Sequence, residues 1–500
     1  MSGSATVESN RPRRRRYRGI VLRALAVVIG LSPFVAIEVG LHSVSWNETN
    51  EVQDPYVGFS SIRPLFVLND EATEYEIAET RYPLFQPDSF LAEKPADGFR
   101  IFCLGGSTVQ GRPYSIETSF SSWLEMSLRS ACSDQNWEVV NCGGVSYASY
   151  RLVPILKEIL EYEPDLIVLY TGHNEFLEDR TYEAVKQKPQ WLLSFHETLS
   201  SFKTYRFFRS LFVQHKASGS ANPTARQMLP VEVEAELDFQ NGLEFYERDD
   251  RWREGVVTHF EFNLAQMAKM ARTAGTPLIL VNPVSNLKGT PPFKSEFRQT
   301  VPLEVRQEID SLATGRSGTF TSVNQEAERL RELLKLAPDY AELPYRLGQC
   351  LVAQEQWEAA HQLLIQAKDS DICPLRMLEP MHAVIFQTAR KFDLPLVDVR
   401  SYFEERSVGG IPGDQFLLDH VHPTIFGHQC IAQLLTGKMN ELGLLEVSNP
   451  GWVEDWKQAC VQRLESLDFM YFQRGEDRLR GLQRWSRGAV SKKRPSKSDR

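Results

Sequence analysis

Five short apolar segments alternate with amphipathic helical segments along this chain, and this alternation restricts its fold more than any other feature. An apolar run bounded by polar turns is typical of a strand that is buried on both faces. Strands that alternate with helices form a parallel sheet, because each helix carries the chain back to the starting edge. The strands are predicted at 98–104, 137–141, 165–170, 277–282 and 394–399, and the helices at 117–132, 149–162, 256–274, 378–392 and 424–441.

Polar and glycine-rich residues follow the first three predicted strands. The carboxyl ends of parallel strands meet at one edge of the sheet, where the functional groups of open α/β folds lie. We therefore expect a site at this edge of a flavodoxin-like, three-layer α/β sandwich with a five-stranded parallel sheet. The residues concerned are Gly105-Gly106-Ser107-Thr108, 141–146, and Gly172-His173-Asn174-Glu175.

Ser107 leaves a buried strand into a glycine-rich turn, so its side chain is expected at the edge of the sheet. The amino end of the next helix would place backbone N–H groups near the hydroxyl, where they favour an oxyanion. A serine in this context also occurs in plain turns and in phosphate-binding loops. No lysine follows Thr108, so the phosphate-loop pattern is not met.

The sequence Asp419-His420-Val421-His422 lies directly before a predicted helix. An aspartate and a histidine three residues apart on a turn can meet, so that the carboxylate fixes the imidazole tautomer and the other nitrogen faces a nucleophile. Two alternatives fit the same residues. Asp419 could cap the helix and leave His422 at the surface, or His420, His422 and His428 could bind a metal ion. The serine motif favours the catalytic pair of Asp419 and His422 over both alternatives.

Taken in order, these blocks resemble those of the SGNH hydrolases, the GDSL-type family. The resemblance implies Ser107 as the nucleophile, His422 as the general base and Asp419 as the carboxylate that orients it. Gly106 departs from the family pattern, because Gly-Asp-Ser-Leu has aspartate there, and this removes a supporting carboxylate. The resemblance covers about 99–179, 256–290 and 374–442.

The same resemblance implies a group of oxyanion donors. Asn174 is the side-chain donor, because Gly172-His173-Asn174-Glu175 matches the Gly-x-Asn-Asp block with glutamate in the last place. The Ser107 N–H is a second donor. The third is a backbone N–H of the second block, which counting assigns to Ser146, with Gly144 as the nearby alternative.

The implied activity is hydrolysis of an acyl ester through an acyl-enzyme on serine, with no metal or organic cofactor. Membrane-anchored members that act on sugar O-acetyl groups look most similar, so an acylated carbohydrate is an expected substrate. Two alternatives stay open: an O-acyltransferase of the same fold acting on a glycan, and an anchored scaffold that binds a protein partner. The net charge of −9 argues against a chain that coats nucleic acid.

The first forty residues predict a membrane location. Residues 1–18 are rich in arginine, and the apolar run 19–41 has about the length of 20 residues that a helix needs to cross a bilayer. Because positive residues stay in the cytoplasm, the chain after Leu41 is expected outside it, held by a single span. The alternative is a signal peptide cleaved near residues 43–45.

The remaining segments surround or interrupt the hydrolase domain, which is predicted at 99–300 and 374–445. Residues 42–98 are expected to form a connector with a few short strands. An insertion at 180–255 is interpreted as a lid. In the segment 301–373, small and large apolar residues are spaced as in a pair of tetratricopeptide (TPR) helices. An ordinary helical hairpin fits the same spacing. The segment could bind a protein partner. Residues 446–500 are expected to form a helix and, from 474, a basic disordered tail.

Overall fold

The computed structural model describes residues 54–180, 182, 227–313, 322–490 and 492, together with isolated positions between 30 and 40. The predicted membrane span 19–41 and residues 183–226 of the predicted lid therefore lie almost entirely outside the described residues. None of the helices within these ranges combines the length and apolar character that crossing a bilayer requires. The larger of two compact units comprises Phe59–Thr181 and Met228–Arg500.

Four short strands precede the main sheet: β1 (Val57–Phe59), β2 (Phe66–Leu68), β3 (Glu74–Ile77) and β4 (Ser89–Leu91). Strands β2, β3 and β4 form an antiparallel sheet. The Glu158 carboxylate accepts hydrogen bonds from the backbone N–H groups of Leu65 and Phe66, and Arg100 donates to the Leu91 carbonyl. Much of the predicted connector is thus folded onto the main domain.

The main sheet contains five parallel strands, as predicted: β5 (Gly98–Gly105), β6 (Asn136–Gly143), β7 (Leu166–Tyr170), β9 (Leu278–Asn282) and β10 (Leu396–Asp398). A further short strand, β8 (Gln227–Leu229), lies outside this sheet. The strand order is β10-β9-β7-β5-β6. This flavodoxin-like order reverses direction between β5 and β7, and ligands of such sheets bind beyond the carboxyl ends at that position.

Helices cover both faces of the sheet and complete a three-layer sandwich. The helices of the main domain are α1 (Ser107–Gln110), α2 (Phe120–Ala131), α3 (Ser149–Ile159), α4 (Asp250–Ala274), α9 (Glu379–Phe392), α10 (Val399–Arg406), α11 (Ile425–Glu441) and α12 (Trp452–Ser466). Helices α2, α11 and α12 pack together on the face whose core contains Ile101, Trp123 and Ile431, and helices α3, α4 and α9 pack on the other face.

The segment between α4 and α9 forms a separate helical cluster. It contains α5 (Leu303–Ala313), α6 (Val323–Leu336), α7 (Glu342–Ala353) and α8 (Trp357–Asp369), with a core of its own. A side chain at Gly348 would come within 2.9 Å of Leu364, so the absence of one lets α7 and α8 approach closely.

The chain after the main domain stays helical beyond the point at which its composition predicts disorder. Helix α13 (Phe469–Ser486) extends beyond residue 474, where the sequence predicts a disordered tail. Arg478 donates to the carbonyls of Pro113 and Tyr114, and the Trp485 indole donates to Asp238. These contacts explain the correction, because they fix one face of the helix to distant parts of the chain. Residues 493–500 lie outside the described residues.

Candidate active site

Ser107 lies where the central strand ends. Strand β5 ends at Gly105, Gly106 is extended with φ −88° and ψ −156°, and Ser107 is the first residue of the four-residue helix α1. The side chain is almost buried, since the residue is 8% exposed. Its Oγ lies 2.7 Å from Nε2 of His422, although 315 residues separate the two in sequence.

A tight loop holds His422 and Asp419 together. The Asp419 Oδ1 accepts from the backbone N–H groups of Val421 and His422, each at 2.9 Å, and Oδ2 lies 2.7 Å from His422 Nδ1. A carboxylate can only accept, so Nδ1 carries the proton and Nε2 presents its lone pair to the Ser107 hydroxyl. The structure thus brings the three predicted residues into one hydrogen-bonded line.

The Asp419 carboxyl is held in its ionised form. Burial alone would raise its pKa, but the imidazoles of His422 and His420 and the hydrogen bonds from His422 outweigh burial and hold the pKa well below its ordinary value. The carboxylate is therefore available to stabilise a positive charge that forms on His422 when it accepts a proton.

Asn174 follows β7 on the other side of the point where the strand order reverses. Its Nδ2 donates to the Tyr147 carbonyl at 3.0 Å, which fixes the amide and leaves its second hydrogen for another acceptor. A Cβ at Gly106 would lie 2.3 Å from this Nδ2. Glycine at 106 therefore leaves room for the Asn174 amide beside Ser107, which gives a physical reason for the departure from the Gly-Asp-Ser-Leu pattern.

The two backbone donors that the sequence leaves open differ in their hydrogen bonding. The N–H of Gly144 donates to the Gly105 carbonyl at 3.0 Å, so it is already engaged. Ser146 has a left-handed φ of 63°, a conformation that costs a non-glycine residue about 1–3 kcal/mol. Within the described part of the chain, no acceptor engages its N–H. The Gly144 N–H therefore serves a structural contact, and the Ser146 N–H is the one left to act as a donor.

Glu175 has a structural function that its charge alone did not reveal. Its carboxylate accepts from the backbone N–H of Ser149 at 2.7 Å and from the Ser149 hydroxyl at 2.9 Å, at the first residue of α3. The residue is completely buried, and burial raises its pKa. Because Tyr147 lies two residues before Ser149, this anchor also fixes the carbonyl that orients Asn174.

His173 is a second residue whose place the sequence did not indicate. Its Nδ1 accepts from the Met377 N–H at 3.4 Å, and the residue is 6% exposed. Burial, followed by the nearby His420 and His422, lowers its pKa to about 3, so the ring is neutral and Nε2 carries the proton. Among the described residues, Nε2 has no hydrogen-bond partner.

Besides His422, the metal-site alternative involved His420 and His428, and these two side chains lie in separate environments. His428 is buried on α11, its ring stacks on Phe120 at 6.3 Å, and burial and His422 lower its pKa to about 3. Burial, with contributions from His422 and Arg376, lowers the pKa of His420 to about 4 although Asp419 opposes the shift. In the described ranges, no group of three His, Cys, Asp or Glu side chains is arranged to hold a metal ion.

Comparison with known protein families identifies one part of the chain. A tetratricopeptide repeat model matches residues 327–371, which span most of α6, all of α7 and all of α8. The insertion contains a tetratricopeptide repeat. The TPR prediction is thereby confirmed over the ordinary helical hairpin. A search of curated proteins finds no match to this chain.

Solved structures with similarity to this chain include several esterases. The acetyl xylan esterase AlAXEase is 12% identical and has a TM-score of 0.31, with 68% of this chain and 98% of that chain covered. A lipase/acylhydrolase from Enterococcus faecalis is 12% identical, with a TM-score of 0.32 and coverage of 70% and 98%. A G-D-S-L family lipolytic protein from Desulfitobacterium hafniense DCB-2 is 9% identical, with a TM-score of 0.28 and coverage of 68% and 98%.

Proposed function

We propose that this protein is a serine ester hydrolase with Ser107 as its nucleophile. The observation that carries the proposal is the line of two 2.7 Å contacts from Ser107 Oγ through the His422 imidazole to the Asp419 carboxylate. In acyl transfer, Nε2 of His422 accepts the hydroxyl proton while Oγ forms a bond to the ester carbonyl carbon. Asp419 stabilises the imidazolium that results.

The negative charge on the carbonyl oxygen requires donors fixed before the reaction. The second amide hydrogen of Asn174 and the backbone N–H groups of Ser146 and Ser107 supply them in this proposal. His422 then donates its proton to the leaving alcohol, and the C–O bond breaks to give the acyl-enzyme. Water then loses a proton to His422 while its oxygen bonds to the acyl carbon. The bond from that carbon to Ser107 Oγ breaks, His422 returns the proton to Oγ, and the acid leaves.

A short acyl group suits this site best. Ser107 is 8% exposed and Gly106 beside it faces the Asn174 amide, so little room surrounds the nucleophile. We therefore propose an acetyl ester as the substrate class. The family resemblance of the sequence motifs adds a hydroxyl-rich alcohol, such as a glycan, to this proposal.

A direct test is labelling of the purified full-length protein with a fluorophosphonate, which reacts with activated serines. The wild-type protein is expected to be labelled and to hydrolyse p-nitrophenyl acetate. Labelling should map to the peptide that contains Ser107. An unlabelled, inactive wild-type protein would refute the proposed function.

Replacing Asn174 with alanine is expected to lower kcat about 10²–10³-fold, the usual effect of losing one oxyanion donor. KM should change little, because the donor acts on charge that develops in the transition state. Steady-state kinetics with p-nitrophenyl acetate would measure both constants. Gln240→Ala, at an exposed amide in the loop before α4, is the matched control. Equal kcat values for the two variants would remove Asn174 from the mechanism.

The proposed location is outside the cytoplasm, with residues 19–41 as the anchor. The arginine-rich segment before the apolar run supports this orientation. A reporter that is active only after export, fused to the C-terminus, is expected to be active, and deletion of 19–41 should abolish its activity. Activity of a cytoplasm-dependent reporter in the full-length fusion would contradict the proposed topology.

A further inference from the structure

One buried asparagine ties the loop of Asp419 and His422 to the rest of the domain. Asn286 follows β9 and is 1% exposed. Its backbone N–H donates to the His420 carbonyl at 2.9 Å. Since His420 lies between Asp419 and His422 in sequence, this bond fixes the backbone that carries both side chains.

The remaining polar groups of Asn286 are also engaged. Its Nδ2 donates to Asp414 Oδ1 at 2.8 Å, and its Oδ1 accepts from the Gly289 N–H at 2.7 Å. Its carbonyl accepts from Arg376 Nη1 at 3.0 Å. Movement of Asn286 would therefore break contacts in three directions, which makes it a rigid support for the His420 carbonyl.

The tetratricopeptide segment holds the same loop from another side. The Lys288 carbonyl accepts from Gln349 Nε2 at 2.7 Å and from the Tyr345 hydroxyl at 3.2 Å, both on α7. The Leu287 N–H donates to the Pro412 carbonyl at 3.0 Å. The loop after β9 thus lies between α7 and the segment that leads to Asp419.

We propose that Asn286 is a positioning residue for the hydrolytic reaction, acting through the His420 backbone on the placement of His422 relative to Ser107. This inference rests on the proposed function. The Ser107–His422 contact of 2.7 Å tolerates little displacement, and a shift of about 1 Å can lower a rate about 10²-fold. Among the described residues, Asn286 has no hydrogen bond to Ser107 or His422. We expect it to act through the placement of His422 and not through substrate binding, so that its loss lowers kcat and leaves KM unchanged.

The Asn286–Asp414 pair allows a test by exchange of donor and acceptor. N286D keeps the shape of the side chain and its acceptor for Gly289, but sets two carboxylates against each other. D414N keeps an amide oxygen that can accept from Asn286. The double variant N286D/D414N restores a hydrogen bond in the opposite direction, because the amide introduced at position 414 can donate to the carboxylate introduced at position 286.

Three measurements on the full-length variants distinguish the outcomes. They are steady-state kinetics with p-nitrophenyl acetate, the rate of fluorophosphonate labelling and the melting temperature. We expect N286D to lose kcat on the order of 10²-fold with unchanged KM, D414N to lose much less, and the double variant to regain most of the loss. Wild-type kcat in N286D would overturn the proposal. So would a double variant that regains its melting temperature but not its kcat. An inactive, unlabelled wild type would instead refute the proposed function.

Discussion

Replacing Ser107 with alanine is expected to remove almost all esterase activity and leave the fold intact. We expect kcat to fall by on the order of 10⁵–10⁶-fold, because no acyl-enzyme can form and only the oxyanion donors continue to act. Among the described residues, His422 is the hydrogen-bond partner of the Ser107 Oγ. Steady-state kinetics with p-nitrophenyl acetate and the melting temperature would measure both effects.

Ser127→Ala is a matched control for this substitution. Ser127 is a fully buried serine of α2, and its hydroxyl accepts from Thr436 at 2.8 Å, away from the site. Its replacement should lower stability slightly and leave kcat and fluorophosphonate labelling at the wild-type level. If the Ser107 and Ser127 variants retain the same activity, another residue is the nucleophile.

The second large effect is expected from Asp419→Asn, which should lower kcat about 10⁴-fold. The amide oxygen can still accept from the backbone N–H groups of Val421 and His422, so the loop keeps its shape. The amide nitrogen cannot accept from His422 Nδ1, and the imidazole then favours the tautomer that has no lone pair facing Ser107. Single-turnover acylation with p-nitrophenyl acetate would measure the loss directly.

Asp393→Asn serves as the control for this isosteric change. Asp393 ends α9 with a left-handed φ of 53°, a conformation that asparagine tolerates equally well. This variant is expected to acylate at the wild-type rate. An Asp419→Asn protein that acylates as fast as the Asp393→Asn protein would show that the carboxylate does not orient His422.

Local pattern predicted the five strands of the main sheet because four of them, β5, β6, β7 and β9, are largely buried on both faces and therefore appear in the sequence as continuous apolar runs. Strand β7, Leu166–Tyr170, is buried throughout, and the prediction differs from it by one residue. The helices on either side were predicted for a related reason, since each buries one apolar stripe. Their ends differ by a few residues, as for α4, which begins at Asp250 and not at 256.

Elements that depend on distant partners were predicted less well. The chain from residue 474 has a basic composition that is typical of a disordered tail, but helix α13 continues to Ser486. It is fixed by contacts with Tyr114 and Asp238, far away in sequence. The strands β2 to β4 are only three or four residues long, so their alternation carries little signal. Their support comes from Glu158 and Arg100 of the main domain.

Ser107 and Asp419-His420-Val421-His422 were recognisable in the sequence because each lies in a short block whose residue types and spacing suit acyl transfer. The family resemblance implied that Ser107 and His422 act together, and the tertiary structure supplies the 2.7 Å contact between them across 315 residues. Two further hydrogen bonds depend on the tertiary structure: the Gly144 N–H donates to the Gly105 carbonyl, and the Asn286 N–H donates to the His420 carbonyl. Sequence periodicity records which face of an element is buried. Contacts between the ends of different strands depend on strand order and on how the insertions pack, and neither leaves a local pattern.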